Sequence, residues 1–342
     1  MTLSPTARTL LRPLGLLYGS LMRLRTTFYE SGLLRRRRLQ GTVVSIGNLT
    51  VGGTGKTPMV LWVAERLAAE GHRPAILTRG YRGLGDSDAD AQATADEVAL
   101  LRRRLNGRAQ FGVGKNRYEN GLALAKNGAE WFILDDGFQH LALQRDADIV
   151  LLDATDPFGG GGILPAGRLR EPRSGLARAD IVVITRANHA PAIETGVRRF
   201  TNAPIFYAQA RLETVLRVPS MKEALPESEG RRYNFFAFCG IGNPAAFFDD
   251  LRNWGFSVAG RRSFADHHRY SGAEIRDLDD AAAAVGAHAL ICTEKDVFNL
   301  PSSIATALPI YACRIRLAVS DEDAFWTAVR AAVGRTQRVT QA

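Results

Sequence analysis

Three groups of residues in this chain have the types and spacing for chemistry on a phosphate. The first is Gly47 to Thr57, GNLTVGGTGKT. Gly52, Gly53, Thr54 and Gly55 can turn backbone N–H groups inward around phosphate oxygens. Lys56 can reach the β- and γ-phosphates, and the Thr57 hydroxyl can ligate Mg²⁺. The usual spacing, G-x-x-x-x-G-K-[ST], has glycine where this chain has Thr50; Gly52 and Gly53 supply the flexibility instead. The second group is Asp135-Asp136, two acids at the end of the apolar run Trp131–Leu134. This is the Walker-B form, in which a carboxylate serves the Mg²⁺ shell. The third is Asp96-Glu97, where a carboxylate could take a proton, although acids at a helix start also simply favour the dipole. Polar residues gather at other strand ends and loops: Thr78-Arg79-Gly80-Tyr81, Arg117, Gly137-Phe138-Gln139-His140, and a Gly- and Pro-rich loop from 158 to 172 carrying Arg168, Arg170 and Glu171. Asp266-His267-His268 is a weak metal signal, because chain neighbours rarely face one ion.

These groups need elements to hold them. The β-branched run 42–46 reads as a buried strand. A helical pattern follows, with Val60, Val63, Ala64, Leu67 and Ala68 on one face, Pro58 in the first turn and Gly71 as the stop. Residues 74–78 form a second strand. Residues 84–95 read as a polar loop, with Asp96-Glu97 opening the next helix. DIVLLD (148–153) and ADIVVIT (179–185) are further buried strands. Strands alternating with helices to about residue 200 predict an α/β fold: a doubly wound, mainly parallel sheet of the P-loop NTPase type. Residues 203–218 alternate and suggest a strand pair. A second, smaller α/β unit begins at Tyr233, where the strand 235–238 runs into Gly240-Ile241-Gly242 and a helix capped by Asn243 with Pro244 behind it. The expected organisation is an N-terminal basic segment 1–40, a P-loop domain 41–202, a strand-pair linker 203–232 and a smaller α/β domain 233–335.

With 342 residues, 46% of them hydrophobic, the chain has material for two cores. Its three cysteines are scattered without metal spacing, which fits a reduced compartment. The net charge of +9 is uneven: residues 1–40 hold eight arginines against one acid, Glu30. Leu10, Leu14, Leu17, Leu21, Leu24 and Phe28 recur at helical spacing and form one apolar stripe. The stripe is interrupted by charge too often to span a bilayer, which takes roughly 20 apolar residues. It suits an amphipathic helix lying in a membrane interface, with Arg35 to Arg38 drawn to anionic lipid. The competing arrangement packs the stripe on the protein's own core. Nucleic acid is not expected, because no aromatic platform interleaves the arginines. No stable protein partner is implied.

Taken together, GNLTVGGTGKTP (47–58), TRGY (78–81), DE (96–97), DDGFQH (135–140), GRLREP (167–172), FADHH (264–268) and TEKD (293–296) resemble the tetraacyldisaccharide 4′-kinase family of lipid A biosynthesis. The resemblance spans residues 10–300 and includes the irregular Thr50. It implies ATP- and Mg²⁺-dependent phosphorylation of the 4′-hydroxyl of a lipid A disaccharide precursor, at the cytoplasmic face of the bacterial inner membrane. Carried over by motif, Lys56 and Thr57 hold phosphate and metal, with Asp135, Asp136 and Glu171 in the metal shell. Asp96 is the base, paired with His267 from the second domain. Thr78, Tyr81, Glu97, Arg117, His140 and Arg170 line the reacting groups. The chain departs from the family's strings at Val98 and Ala265, where proline is usual. Two other classes fit a phosphate loop. A GTPase switch would need Asn-Lys-x-Asp, which neither 185–188 nor 293–296 supplies. A membrane-tethered ATPase without a lipid acceptor would not need Asp96 or His267.

Overall fold

All seven residues of Thr42–Asn48 are buried, and they form the strand β1. Around it the chain, a computed structural model describing residues 5–79 and 88–341, folds into two compact units. One contains residues 5–79, 105–209 and 317–341; the other contains 88–104 and 210–316. In chain order the helices are α1 (Pro5–Glu30), α2 (Lys56–Ala69), α3 (Asp88–Leu105), α4 (Arg117–Lys126), α5 (Pro191–Arg198), α6 (Glu227–Gly230), α7 (Pro244–Asn253), α8 (Gly272–Ala284) and α9 (Glu322–Gln341). The strands after β1 are β2 (Pro74–Thr78), β3 (Gln110–Val113), β4 (Trp131–Asp135), β5 (Ala147–Asp153), β6 (Ile181–Thr185), β7 (Ile205–Arg217), β8 (Asn234–Cys239), β9 (Ser257–Ser263), β10 (Ala289–Thr293) and β11 (Ile310–Val319).

In the larger unit the strand order is β3-β2-β4-β1-β5-β6-β7, and the paired strands are parallel. β1 lies between β4 and β5, so the chain winds outward from it in both directions, the doubly wound pattern. Val43, Leu77, Phe132 and Leu134 belong to one buried cluster, and Leu49, Phe138, Val150, Leu152 and Val182 to another. α9 closes this unit: Phe325 is fully buried and meets Trp62 and Phe206 edge-on. In the smaller unit, β11-β10-β8-β9 form a parallel set whose clusters centre on Phe238, Leu278 and Leu290, and on Phe235, Leu251 and Ile291. Asn243 caps α7 by accepting from the Ala246 N–H, as its position before Pro244 predicts.

Three expectations about the elements and their order differ from the structure. Residues 205–217 are one continuous strand of 13 residues, not a strand pair, because no Gly, Pro or Asn breaks the alternation inside it. Asp96-Glu97 does not open a helix; α3 has begun by Asp88, and the alanines at 89, 91, 93 and 95 favour helix over loop. Both units are discontinuous in sequence, whereas the motif order suggested contiguous segments.

Candidate active site

Two clusters of polar groups stand out, one in each unit. The first forms because β1 and β4 are parallel neighbours with Ile46 in register with Asp135. The loop after β1 and the two acids after β4 therefore leave the sheet side by side, at the carboxyl edge where open α/β sheets bind ligands. The chains pass so closely that a Cβ on Gly47 would lie 2.7 Å from the Phe138 backbone nitrogen. Gly55 sits at φ +85°, a left-handed turn that an L side chain resists, and leads directly into α2. No side chain caps that helix, so its first N–H groups are directed at whatever the loop encloses.

Lys56 Nζ donates to Asn48 Oδ1 at 3.3 Å and lies 3.6 Å from Asp136 Oδ1. Asn48 in turn donates to the Thr54 hydroxyl at 2.9 Å, and Thr185 donates to the Thr54 carbonyl at 3.1 Å. Arg170 holds Asp136 Oδ2 at 2.6 Å, and Arg117, itself buried, donates to the Asp136 carbonyl at 3.4 Å. Burial pushes the Asp136 carboxyl up, but Lys56, Arg170 and Arg117 outweigh it and hold it at about 2. Asp136 Oδ1 is buried and accepts no hydrogen bond. An ionised oxygen left over in this way, with buried Asp135 before it and the Thr57 hydroxyl in the first turn of α2, is a donor set that fits a hard cation such as Mg²⁺.

The remaining predicted residues of this unit take distinct places. Glu171 does not present a free oxygen to a metal: Gln139 donates to its Oε1 and Arg178 to its Oε2, both at 2.8 Å. It braces Gln139, which also donates to the Asn48 carbonyl at 2.9 Å. His140 is driven down to about 4 by burial first, and then by Arg117, Arg145, Arg25 and Arg79, so it is neutral at ordinary pH. Thr78 is buried at the end of β2, where its carbonyl accepts from the Gly114 N–H at 3.0 Å. Tyr81 lies outside the described residues.

The second cluster is in the smaller unit. Asp96 is 1% exposed, well inside α3. His267 Nδ1 lies 2.9 Å from its Oδ2 and 3.2 Å from its Oδ1, and Asn299 donates to Oδ2 at 2.9 Å. Asp96 and His267 were expected to come from different domains. They belong to the same unit, because α3 up to Arg104 folds with residues 210–316. His267 occupies the left-handed region at φ +59°, with its N–H bonded to the Gly240 carbonyl at 3.0 Å. Its neighbour His268 does something else, stacking on Phe264 and meeting Glu274 at 2.9 Å. Asp296 secures these loops: it accepts from the Gly240 N–H, the Tyr270 hydroxyl and the Thr293 hydroxyl, at 2.7, 2.8 and 2.6 Å. Glu97 accepts from Lys295 at 3.2 Å.

The N-terminal helix shows two faces. Leu10, Leu14, Leu17, Leu21 and Leu24 are exposed, Leu10 to 75%, so the stripe is not buried in the protein's own core. The opposite side docks on the 158–172 loop. Gly15 and Gly19 are buried there, and a Cβ at either would come within 3 Å of Ile163. Arg25 donates to the Gln139 carbonyl at 3.0 Å. The arginine run is partly engaged by protein: Arg37 pairs with Glu119 at 3.1 Å and covers Tyr118, and Arg38 lies 3.6 Å from Asp146.

The LpxK family model, described as tetraacyldisaccharide-1-P 4′-kinase, matches residues 7–334. The chain belongs to this family. A tetraacyldisaccharide 4′-kinase of Desulfotalea psychrophila is 36% identical over 337 residues, covering 91% of this chain and 92% of the relative. One from Geobacter sulfurreducens is 41% identical over 310 residues, covering 86% and 85%. LpxK from Aquifex aeolicus, solved in complex with ATP, superposes with a TM-score of 0.73 at 31% identity, covering 96% of this chain and 99% of that one. In this LpxK-family chain, Asn48, Gln139 and Lys295 join the clusters without having been singled out, although each lies inside a quoted motif. Asn299 had no signal at all, because a lone Asn three residues after TEKD reads as a turn.

Proposed function

We propose that this chain transfers the γ-phosphate of ATP to the 4′-hydroxyl of a tetraacyl disaccharide 1-phosphate, a lipid A precursor. The observation that carries this is a family match running from residue 7 to 334, through both polar clusters. Each cluster has chemistry of its own to offer such a transfer. In the larger unit, the N–H groups of the Gly52–Gly55 turn and the α2 terminus cradle phosphate oxygens, and Lys56 places a fixed positive charge on the β/γ-phosphates. Thr57, Asp135 and Asp136 would hold Mg²⁺, which offsets phosphate charge when bound. Glu171 acts behind Gln139. Arg170 and Arg117 fix the Asp136 carboxylate. In the smaller unit, Asp96 accepts the proton of the sugar hydroxyl as that oxygen bonds to the γ-phosphorus and the bond to ADP breaks. His267 orients the carboxylate.

We further propose that the outward leucine stripe of α1 rests on an anionic membrane at the cytoplasmic face of the inner membrane. Among the described residues no helix is long and apolar enough to cross one. Incubation with γ-labelled ATP and purified tetraacyl disaccharide 1-phosphate should move label into the lipid. Label appearing only as inorganic phosphate would make the protein an ATPase.

A further inference from the structure

We propose that Lys295 is a positioning residue: its ammonium, at Nε2 of His267, holds the imidazole in the tautomer that presents Nδ1–H to Asp96. The inference rests on the reading above that Asp96 and His267 serve the transfer. Lys295 Nζ is 3.2 Å from His267 Nε2 and 3.2 Å from Glu97 Oε1, and 3.9 Å from Asp266 Oδ1. An ammonium has three hydrogens and no lone pair, so it can only donate. Nε2 must therefore be the lone-pair nitrogen, and the ring proton must sit on Nδ1, facing the Asp96 carboxylate at 2.9 Å. Burial alone would discharge Lys295, but Glu97, Asp96 and Asp266 outweigh it and keep the amine protonated.

The charges around the ring show why this matters. His267 is faced by Asp96 from α3, by Asp266 from its own loop with Oδ1 3.6 Å from Nε2, and by Lys295, behind which stands Glu97. Lys295 occupies the Nε2 lone pair. Without it, the ring proton is free to move to Nε2, which lies 3.6 Å from Asp266 Oδ1. Asp96 would then face a lone pair on Nδ1 and lose the N–H that orients its carboxylate.

The test uses the full chain labelled with ¹⁵N-histidine and compared with Lys295→Met and Lys295→Arg. At neutral pH the wild type should show His267 with its proton on Nδ1 and a bare Nε2. Lys295→Met should show the ring proton wholly or partly on Nε2. Its kcat should fall about tenfold or more, with KM for ATP and lipid unchanged. Lys295→Arg should retain the wild-type nitrogen pattern and most of the activity. An unchanged pattern in Lys295→Met would overturn the proposal, as would a loss confined to KM for ATP, which would make Lys295 a nucleotide contact. If Lys295→Met does not fold, Glu97→Gln frees the amine from its anchor and should give a mixture of tautomers; a pure Nδ1–H ring there also overturns it. The nitrogen pattern needs no turnover, so it can stand even if Asp96→Ala proves that the pair has no part in transfer.

Discussion

Asp136 and His140 stand close in sequence and feel some of the same cations with opposite results. Arg117 helps hold the acid ionised down to about pH 2 and helps keep the imidazole neutral down to about pH 4. His140 should therefore titrate by NMR near 4, not near its usual 6.5. Its folded value lies below the unfolded one, so the unfolded chain binds the extra proton. Stability present above about pH 6.5 is lost as the pH falls toward about 4, and His140→Gln should flatten that slope by close to one proton. Lys56→Ala should keep the thermal transition and lower transfer by about 10²–10³-fold or more, since it removes a charge aimed at the transferring group. For Asp96→Ala and His267→Ala, the measurement is kcat of both singles and the double. Groups acting as a unit are non-additive, so the double should be little worse than the poorer single. Losses that multiply would separate His267 from the base.

At the scale of the element, α1 is a strut on one side and an apolar surface on the other. Gly15 and Gly19 let the helix backbone approach Ile163, on the loop that brings Arg170 to Asp136 and Glu171 to Gln139. Gly15→Leu should push the helix off this loop, lowering stability by about 1–3 kcal/mol and reducing activity even in detergent micelles. Replacing Leu14, Leu17 and Leu21 with Ser should leave melting and micellar activity unchanged, because those side chains are exposed, and should weaken binding to neutral and anionic vesicles alike. Equal damage from both sets in micelles would mean that the outer stripe also packs on protein. Arg37 and Arg38 already face Glu119 and Asp146, so the run has less charge to offer lipid than its composition suggests.

For the whole molecule, the discontinuity of both units governs how the chain can be cut. The larger unit depends on α9, which buries Phe325 and Trp326 against Trp62 and bonds Trp326 to Glu70. A fragment of residues 41–202 contains every phosphate-loop motif yet lacks that helix and β7. It should show no cooperative thermal transition, whereas the full chain should melt cooperatively. A folded, nucleotide-binding 41–202 fragment would show that α9 is dispensable.

Much of this was legible from local pattern. A buried β-branched strand, a glycine turn, Lys56-Thr57 and an amphipathic helix are consecutive in the chain, so short-range sterics and periodicity specify them. The same holds for the strand ending in Asp135-Asp136 and for the Asn243 cap. The apolar stripe of α1 could be read from spacing, but its outward direction could not, because that depends on which face the 158–172 loop covers. The start of α3 was missed because acids and small residues are common to loops and helices alike. Tertiary structure alone decided that Asp96 folds with His267, that Glu171 is held by Gln139 and Arg178, and that Lys295 meets the ring of His267. Each of these joins residues far apart in the chain, and such contacts are set by which surfaces pack, a property that no local window of residues contains.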